Sequence, residues 1–334
     1  MSKVPILRTS ERKAAKACLW AWWQRWRMGL VPLGTVSDAL WFGTGVHIAL
    51  ANWYCGPALK RGPHPAETFG NWADGEIRHI KTSNRLGNAA EAFIEEKLVP
   101  AAELGRVLLE GYVAEYGRDD SWSIIRPEYS GQIDVADPDY PEEILVIYAF
   151  TYDLLYRDLR DTRIKLEEHK TAKTISTNHL KLDDQAGSYW AIADQQLRAE
   201  GVLGSKERIW GIEYNFIRKA MPDERPRNAE GLCLNKNGTV SKLQPKPLYV
   251  REQVHRTPAE RAAQIRRIQN DAIVLNAFRD GDLPLTKNPT RECSWCAYLG
   301  LCELDEGGHD TEDYRRAMYR VQDPYADHRK STEE

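Results

Sequence analysis

Two acids and one amine lie close together in a pair of candidate strands. Asp153 stands among apolar residues in YAFTYDLLY, while Glu168 and Lys170 lie in RIKLEEHKT, beyond a turn at RDTR. Strand side chains alternate between faces, so Glu168 and Lys170 share one face, and a hairpin brings Asp153 within reach of Glu168. Two adjacent carboxylates predict a Mg²⁺ or Mn²⁺ between them, and an amine beside that ion predicts a phosphodiesterase. Solvated ion pairs on an exposed hairpin are the alternative interpretation.

A second candidate site is formed by cysteines. Three of the six cysteines have the spacing C-x2-C-x5-C: Cys293, Cys296 and Cys302. This spacing lets thiolates converge on one metal centre, and three ligands are one short of a tetrahedral site or a four-iron cluster. We assign the fourth ligand to Cys18, because the basic residues around it favour a thiolate. Spacing does not distinguish zinc from an iron–sulfur cluster, and we expect Cys55 and Cys233 to be ordinary thiols.

The N-terminal segment is basic and rich in tryptophan. Residues 1–30 hold seven Lys or Arg against one acid, together with Trp20, Trp22, Trp23 and Trp26. Such a segment could contact phosphates and stack on unpaired bases. It equally fits an amphipathic helix whose tryptophans face the core and whose basic side chains face water, which is the interpretation that we prefer for the segment alone.

Periodicity and chain breakers predict the elements that position these residues. We expect a first helix over 9–29, capped by Thr9 or Ser10 and ended by Gly29, and a helix over 183–200 capped by Asp183 or Asp184. Three further helices are predicted: one that starts near residue 43, one over 83–116 and one over 257–281. Strands are predicted over 122–135, 144–159, 163–173 and 208–219. Proline and glycine predict an irregular loop over 221–248.

These elements divide into four predicted regions. They are an N-terminal helical region over 1–120, a core over 121–220, a loop, long helix and cysteine region over 221–304, and an acidic, flexible tail over 305–334. The length of 334 residues and the 42% hydrophobic content fit one large α/β domain or two domains. No apolar run is long enough to span a membrane, and the early charges disfavour a signal peptide. We therefore expect an intracellular, cytoplasmic protein that does not bind membranes.

The motifs, taken in order, resemble the PD-(D/E)XK nuclease superfamily. Asp153, the EHK of 168–170 and the QAGSY of 185–189 match its active-site signature, and His47 in GTGVHIAL matches a motif of its RecB-like branch. One cysteine before these motifs and C-x2-C-x5-C after them is similar to the iron–sulfur members of that branch, the AddB-type nuclease domain and the CRISPR-adaptation exonucleases. The resemblance covers residues 9–304. Within this branch, the chain looks most like stand-alone exonucleases that phages encode and that act in a bacterial host.

The resemblance implies a fold and a set of metal ligands. The fold would be α/β with a restriction-endonuclease-like core, in which a central mixed sheet is flanked by helices, and a helical N- and C-terminal region would bind the cluster. The ligands of a Mn²⁺ or Mg²⁺ ion would be the carboxylates of Asp153 and Glu168, the carbonyl of His169 and the imidazole of His47.

The remaining matched residues would serve the chemistry and the cluster. Lys170 would act on the nucleophilic water, and Gln185 and Tyr189, one helical turn apart, would contact DNA or support Lys170. A [4Fe–4S] cluster, with zinc as the alternative, would be bound by four cysteines: Cys18, Cys293, Cys296 and Cys302. The family's first acid usually lies in a GxxD stretch, so Asp134 in GQID competes with Asp153. We favour Asp153 because fifteen residues separate it from Glu168, as a hairpin requires.

These observations predict a metal-dependent DNA exonuclease acting on single strands or at DNA ends, with a structural cluster. Glu128 is a candidate accessory acid. The alternatives are a non-catalytic nucleic-acid-binding protein with a zinc or iron–sulfur site, and the nuclease subunit of a recombination, repair or integration complex. Any helicase partner would be a separate chain, since no P-loop is present. Digestion polarity and homo-oligomerisation stay open.

Overall fold

The structure is a computed structural model that describes residues 4–34, 37–82 and 90–326. Its helices are α1 (Thr9–Ala17), α2 (Leu19–Trp22), α3 (Asp38–Trp53), α4 (Pro65–Thr82), α5 (Ala90–Phe93), α6 (Val99–Tyr116), α7 (Asp184–Ala199), α8 (Pro258–Asp280), α9 (Leu299–Glu306) and α10 (Glu312–Met318). Its strands are β1 (Ile6–Leu7), β2 (Leu30–Pro32), β3 (Trp122–Ala136), β4 (Ile144–Asp158), β5 (Ile164–Ala172), β6 (Ile209–Arg218), β7 (Tyr249–His255) and β8 (Tyr319–Val321).

A mixed six-stranded sheet lies at the centre. β3 pairs antiparallel with one edge of β4, while β1 and β5 pair with different parts of its other edge; β6 is parallel to β5, and β7 is antiparallel to β6. One apolar cluster packs α7 and α8 against the sheet, and a second packs α3, α4 and α6 against it. Helices therefore flank a central mixed sheet, which confirms the predicted α/β class and is consistent with a restriction-endonuclease-like fold.

The hairpin between β4 and β5 is closed by a buried ion pair. Lys165 donates to Asp158 at 2.8 Å, and both side chains are buried. Arg160, within the turn, also donates to Asp158, and Thr162 adopts a positive φ. These contacts fix the length of the turn and hence the register of the two strands beyond it.

Helix formation at the N-terminus differs from the expectation. The predicted helix over 9–29 is broken at Cys18, whose backbone is extended, and the chain resumes as α2 and a π-helical turn over Trp23–Arg27. Neither Thr9 nor Ser10 caps α1, because Arg8 occupies the cap position. Gly29 ends the segment with a φ of +67°, as predicted.

The N-terminal tryptophans are core residues. Trp20, Trp22 and Trp26 are buried, and Trp22 donates from its indole to the fully buried Glu11 at 3.0 Å. Arg8 and Arg25 lie over the ring of Trp26. Stacking of these three rings on DNA bases is therefore wrong, while Trp23 is half-buried. The amphipathic interpretation holds for the tryptophans but not for every basic side chain, because Arg12 is fully buried.

The boundaries of several other elements also differ from the predicted ones. α3 begins at Asp38 with Ser37 as its cap, five residues before the predicted start, while residues 83–89 of the next predicted helix lie outside the described residues. Asp183 caps α7, and Thr257 with Glu260 forms a capping box on α8. The strands β1, β2, β7 and β8 were not predicted.

The described part of the acidic tail is folded. β8 pairs antiparallel with β2, joining Leu30 to Val321 and Pro32 to Tyr319, and Tyr325 donates to Glu11 at 2.6 Å. The tail up to residue 326 thus differs from the flexible segment expected from its acidity, because Tyr319 and Tyr325 within it are buried; residues 327–334 lie outside the described residues. Among the described helices, none has the length and apolar character needed to cross a membrane.

Candidate active site

The β4–β5 hairpin brings the two predicted acids together. The strands pair Leu154 with Glu167, and the same register continued by one residue places Asp153 opposite Glu168. The pairing ends there, and the backbone N–H of His169 donates to a carboxylate oxygen of Asp153 at 2.7 Å. Both acids are buried, so the hairpin holds two carboxylates side by side at the point where the strands separate.

α3 supplies the histidine that the sequence indicated. His47 Nδ1 lies 2.8 Å from Asp153 Oδ1, so Asp153 is held by an imidazole on one oxygen and a backbone amide on the other. About a third of the His47 side chain is exposed, which leaves the site open on this side.

α7 completes the arrangement around the amine. Lys170 Nζ donates to Glu168 Oε1 at 2.6 Å and to Gln185 Oε1 at 3.0 Å. The amide nitrogen of Gln185 in turn donates to the hydroxyl of Tyr189 at 3.4 Å. Gln185 and Tyr189 therefore support Lys170 from one helix face, as their four-residue spacing requires.

Burial and charge determine the protonation of these groups. Burial lowers the pKa of His47, but the Asp153 carboxylate more than offsets it and raises this pKa to about 9. Burial raises the pKa of Asp153, but the His47 imidazole and the His169 amide outweigh that effect and lower it to about 2. Burial raises the pKa of Glu168, to about 7; Lys170 opposes this rise and Asp153 adds to it. At neutral pH an ionised Asp153 is thus paired with a cationic His47.

The neighbouring strand distinguishes the remaining candidate acids. The register of β3 against β4 places Glu128 beside Asp153, between the pairs Pro127–Leu154 and Tyr129–Tyr152. Burial and then the Asp153 charge raise the pKa of Glu128. Asp134 instead pairs with Ile147 and is exposed, about 20 Å from Asp153 along the strands. The geometry therefore groups Glu128, and not Asp134, with Asp153.

The residues present fit a divalent cation. Glu168 Oε2 is buried without a hydrogen-bond partner, and an orphaned buried carboxylate oxygen is costly unless a ligand or ion satisfies it. Two carboxylates, an imidazole and a backbone carbonyl are donors that Mn²⁺ and Mg²⁺ accept. In residues 4–34, 37–82 and 90–326, no three His, Cys, Asp or Glu side chains are yet arranged around one ion position. His47 and Asp153 are instead bonded directly to each other.

A protein-family comparison agrees with this geometry. Residues 9–303 match the model of the PD-(D/E)XK nuclease superfamily. The chain belongs to this superfamily. No curated protein matches the chain. Members of the PD-(D/E)XK superfamily are generally nucleases that use Mg²⁺ or Mn²⁺, which supports metal-dependent nuclease activity and a nucleic-acid substrate.

The position of α7 in this PD-(D/E)XK domain depends on an arginine that sequence reasoning did not single out. Arg12 of α1 is fully buried, and its guanidinium contacts Asp184 at 3.0 Å, Asp271 at 2.6 Å and Ser188 Oγ at 3.0 Å. Asp184 is the first residue of α7 and immediately precedes Gln185. Arg12 therefore ties the start of the active-site helix to α1 and α8. Only the tertiary fold shows this, because the three partners are distant in sequence.

A buried polar layer supports His169 from behind. Asn215 of β6 lies 3.0 Å from His169 Nδ1 and donates to the Tyr112 hydroxyl at 2.9 Å. Arg251 of β7 also donates to Tyr112, at 2.8 Å. This layer was missed, although an asparagine inside the apolar strand IWGIEYNFIR was a usable signal, since a buried amide requires partners.

The cysteines of this PD-(D/E)XK domain gather where its two terminal regions meet. Cys18, Cys296 and Cys302 are partly buried around one small apolar cluster with Trp20 and Leu301. Burial raises the pKa of Cys296, and the nearby thiols of Cys18 and Cys293 raise it further, while a backbone N–H from Tyr298 opposes them. The four predicted ligands are thus neighbours, but the part of the chain that the structure describes does not close them around a metal.

Proposed function

We propose that this chain is a metal-dependent DNA exonuclease that hydrolyses phosphodiester bonds on single strands or at DNA ends. The observation that carries the proposal is the orphaned, buried Glu168 Oε2 beside the Asp153–His47 pair, with Lys170 donating to the other oxygen of Glu168. Asp153 and Glu168 are both buried in the hairpin, so they are shielded from water. This burial argues against the alternative interpretation, in which the acids form solvated ion pairs on an exposed hairpin.

Asp153, Glu168, His47 and the His169 carbonyl would hold the divalent cation. Bound there, the ion would supply charge neutralisation for the phosphate and lower the pKa of water. The His169 amide and the Asn215 contact to its ring fix the backbone of β5, so they hold Glu168 in position. Glu128 beside Asp153 adds a further negative charge that favours a divalent ion.

Lys170 would orient the attacking water and stabilise the charge that develops on the phosphate. Burial lowers the pKa of Lys170, but the Glu168 carboxylate more than compensates and raises it above its usual value, so Lys170 is cationic. Gln185 restricts the amine to one direction, and Tyr189 restricts Gln185. Preorganised charge of this kind is effective because it costs no reorganisation during the reaction.

Metal dependence gives the first test. We expect purified protein to shorten end-labelled single-stranded DNA in Mn²⁺ or Mg²⁺, and to lose this activity completely in EDTA, with recovery on adding the metal in excess. Denaturing gels that follow the labelled end also give the digestion polarity, and a circular single strand tests for end dependence. Binding of DNA without any cleavage in either metal would contradict the proposal and favour a non-catalytic binding protein.

We also propose that Cys18, Cys293, Cys296 and Cys302 hold a structural [4Fe–4S] cluster. Three of these cysteines, Cys18, Cys296 and Cys302, pack against one apolar cluster between α2 and α9. The fourth, Cys293, is close enough to Cys296 to raise the pKa of its thiol, and none of the described cysteines forms a disulfide. A cluster there would cross-link Cys18 to the segment that contains Cys293, Cys296 and Cys302, which lies more than 270 residues later in the sequence. By loop-entropy reasoning this is worth on the order of 5 kcal/mol at most.

Absorbance and metal content test the cluster. Anaerobically purified protein is expected to be brown, with about four irons per chain. Cys18→Ala should lose iron and unfold at lower temperature, whereas Cys55→Ala, an exposed cysteine elsewhere, should retain both properties. Stoichiometric zinc without iron would replace the cluster by the zinc alternative, and full metal retention in Cys18→Ala would remove Cys18 from the site.

A further inference from the structure

The segment between β6 and β7 is long, yet it is bonded tightly to itself. The Gln244 side chain donates to the carbonyls of Cys233 and Ser241 and accepts from the Cys233 N–H. Cys233 is fully buried, and Arg225 donates to Ser241 Oγ at 3.0 Å and to the Leu243 carbonyl. These bonds give the segment a fixed shape without helix or strand.

The C-terminal part of the segment between β6 and β7 has lysines as its only charged residues. We name residues 231–248 the lysine loop, because it contains Lys236, Lys242 and Lys246 and no Asp or Glu. All three lysines are exposed, and none forms an ion pair with any residue in the described ranges. Leu243, beside Lys242, is 81% exposed. The loop is therefore an unpaired cationic surface on a chain whose net charge is −3.

The base of the lysine loop borders the active-site opening. Arg218 N–H donates to the Leu248 carbonyl, and Lys219 N–H donates to the carbonyl of Ala172, two residues beyond Lys170 on β5. Lys219 also lies over the ring of Phe42 in α3, the helix that carries His47. The loop thus leaves the sheet at the end of β5 that carries Lys170.

We infer that the lysine loop binds the phosphate backbone of the substrate DNA, beyond the phosphate that is cleaved. The inference rests on the proposed function, since it assigns part of the same substrate to this surface. Exposed lysines act on a polyanion as point charges and require no base sequence, which suits an enzyme that must move along any strand. A fixed loop loses little conformational entropy when it binds.

Salt dependence of DNA affinity tests the inference. The three lysines are replaced together by glutamine in a Glu168→Gln background, which prevents cleavage, and binding to a labelled single strand and to the matching duplex is measured by anisotropy at several salt concentrations. Each lost phosphate contact lowers the slope of log Kd against log salt by about 0.7 on a single strand and about 0.9 on a duplex, so we expect the triple variant to lower it by about 2.1 and about 2.7. In the cleavage-competent background, KM should rise while kcat changes little.

A charge-matched control separates this surface from net charge. Lys60, Lys97 and Lys206 are also exposed and without ion pairs among the described residues, and Lys206 precedes β6, at the opposite end of that strand from the lysine loop. Their triple glutamine variant should keep the wild-type slope. An unchanged slope in the lysine-loop variant on both DNA forms, or an equal decrease in the control, would overturn the inference. Absence of cleavage by the wild-type chain would instead contradict the proposed function.

Discussion

Replacing Lys170 with methionine is expected to lower metal-dependent DNA cleavage by about a thousandfold, because the variant keeps the volume of the side chain but loses the cation beside the phosphate. Glu168→Gln should be at least as damaging, since it removes a carboxylate that the metal requires. Single-turnover cleavage of labelled DNA in Mn²⁺ measures both effects independently of product release. Partial rescue of Lys170→Met by alkaline pH, which supplies hydroxide, would indicate that Lys170 acts on the water.

Two controls make this result specific. Lys206 precedes β6, at the end of that strand away from the active site. The Lys206→Met variant should therefore cleave DNA at the wild-type rate. Melting temperatures within a few degrees of the wild type would show that both active-site variants are folded. Undiminished cleavage by Lys170→Met and by Glu168→Gln would refute the assignment of this hairpin as the active site.

Arg12→Ala is expected to destabilise the fold by about 3–5 kcal/mol, because it leaves Asp184 and Asp271 facing each other without their shared cation. Lys16 contacts Asp271 at 2.6 Å and Asp184 at 3.7 Å, but it is half exposed and compensates only in part. The start of α7, which carries Gln185, should also become less ordered. We therefore expect Arg12→Ala to cleave DNA more slowly than the wild type even at temperatures where the variant is fully folded. Urea unfolding followed by tryptophan fluorescence measures the first effect.

Matched variants on the same helix identify the cause. Lys13→Ala removes an exposed charge from α1 and should change the free energy of unfolding by less than about 0.5 kcal/mol. Arg12→Lys keeps the charge but loses the planar fork that reaches several partners, so it should fall between the wild type and Arg12→Ala. An Arg12→Ala variant with wild-type stability and cleavage would show that the network does not position α7.

The hairpin and its acids could be predicted because their signals are local. Alternation in RIKLEEHKT, the short turn and an acid inside an apolar strand determine which side chains share a face, and the structure places Asp153, Glu168 and Lys170 accordingly. Family resemblance added His47, which lies more than one hundred residues before Asp153 and is brought to it only by the packing of α3.

The remaining elements depend on contacts that no local pattern reveals. β1 has two residues and exists because the edge of β4 accepts it, and β2 and β8 are short strands that form only by pairing with each other. Arg12 is one of several basic residues in its segment, and only its distant partners Asp184 and Asp271 distinguish it from the others. Charge composition was misleading for the tail, because a few aromatic anchors such as Tyr325 suffice to dock an acidic segment.

The surroundings of Glu11 have a consequence for how the protein is made. This carboxylate, near the start of the chain, is fully buried by Trp22, Arg279 and Tyr325 together. During translation Glu11 therefore lacks two of its three partners until Arg279 and Tyr325, which lie 268 and 314 residues later, have left the ribosome. Long-range closure of this kind slows folding. We expect the nascent chain to need shielding from aggregation, and truncations that remove Tyr325 to lower the yield of folded protein.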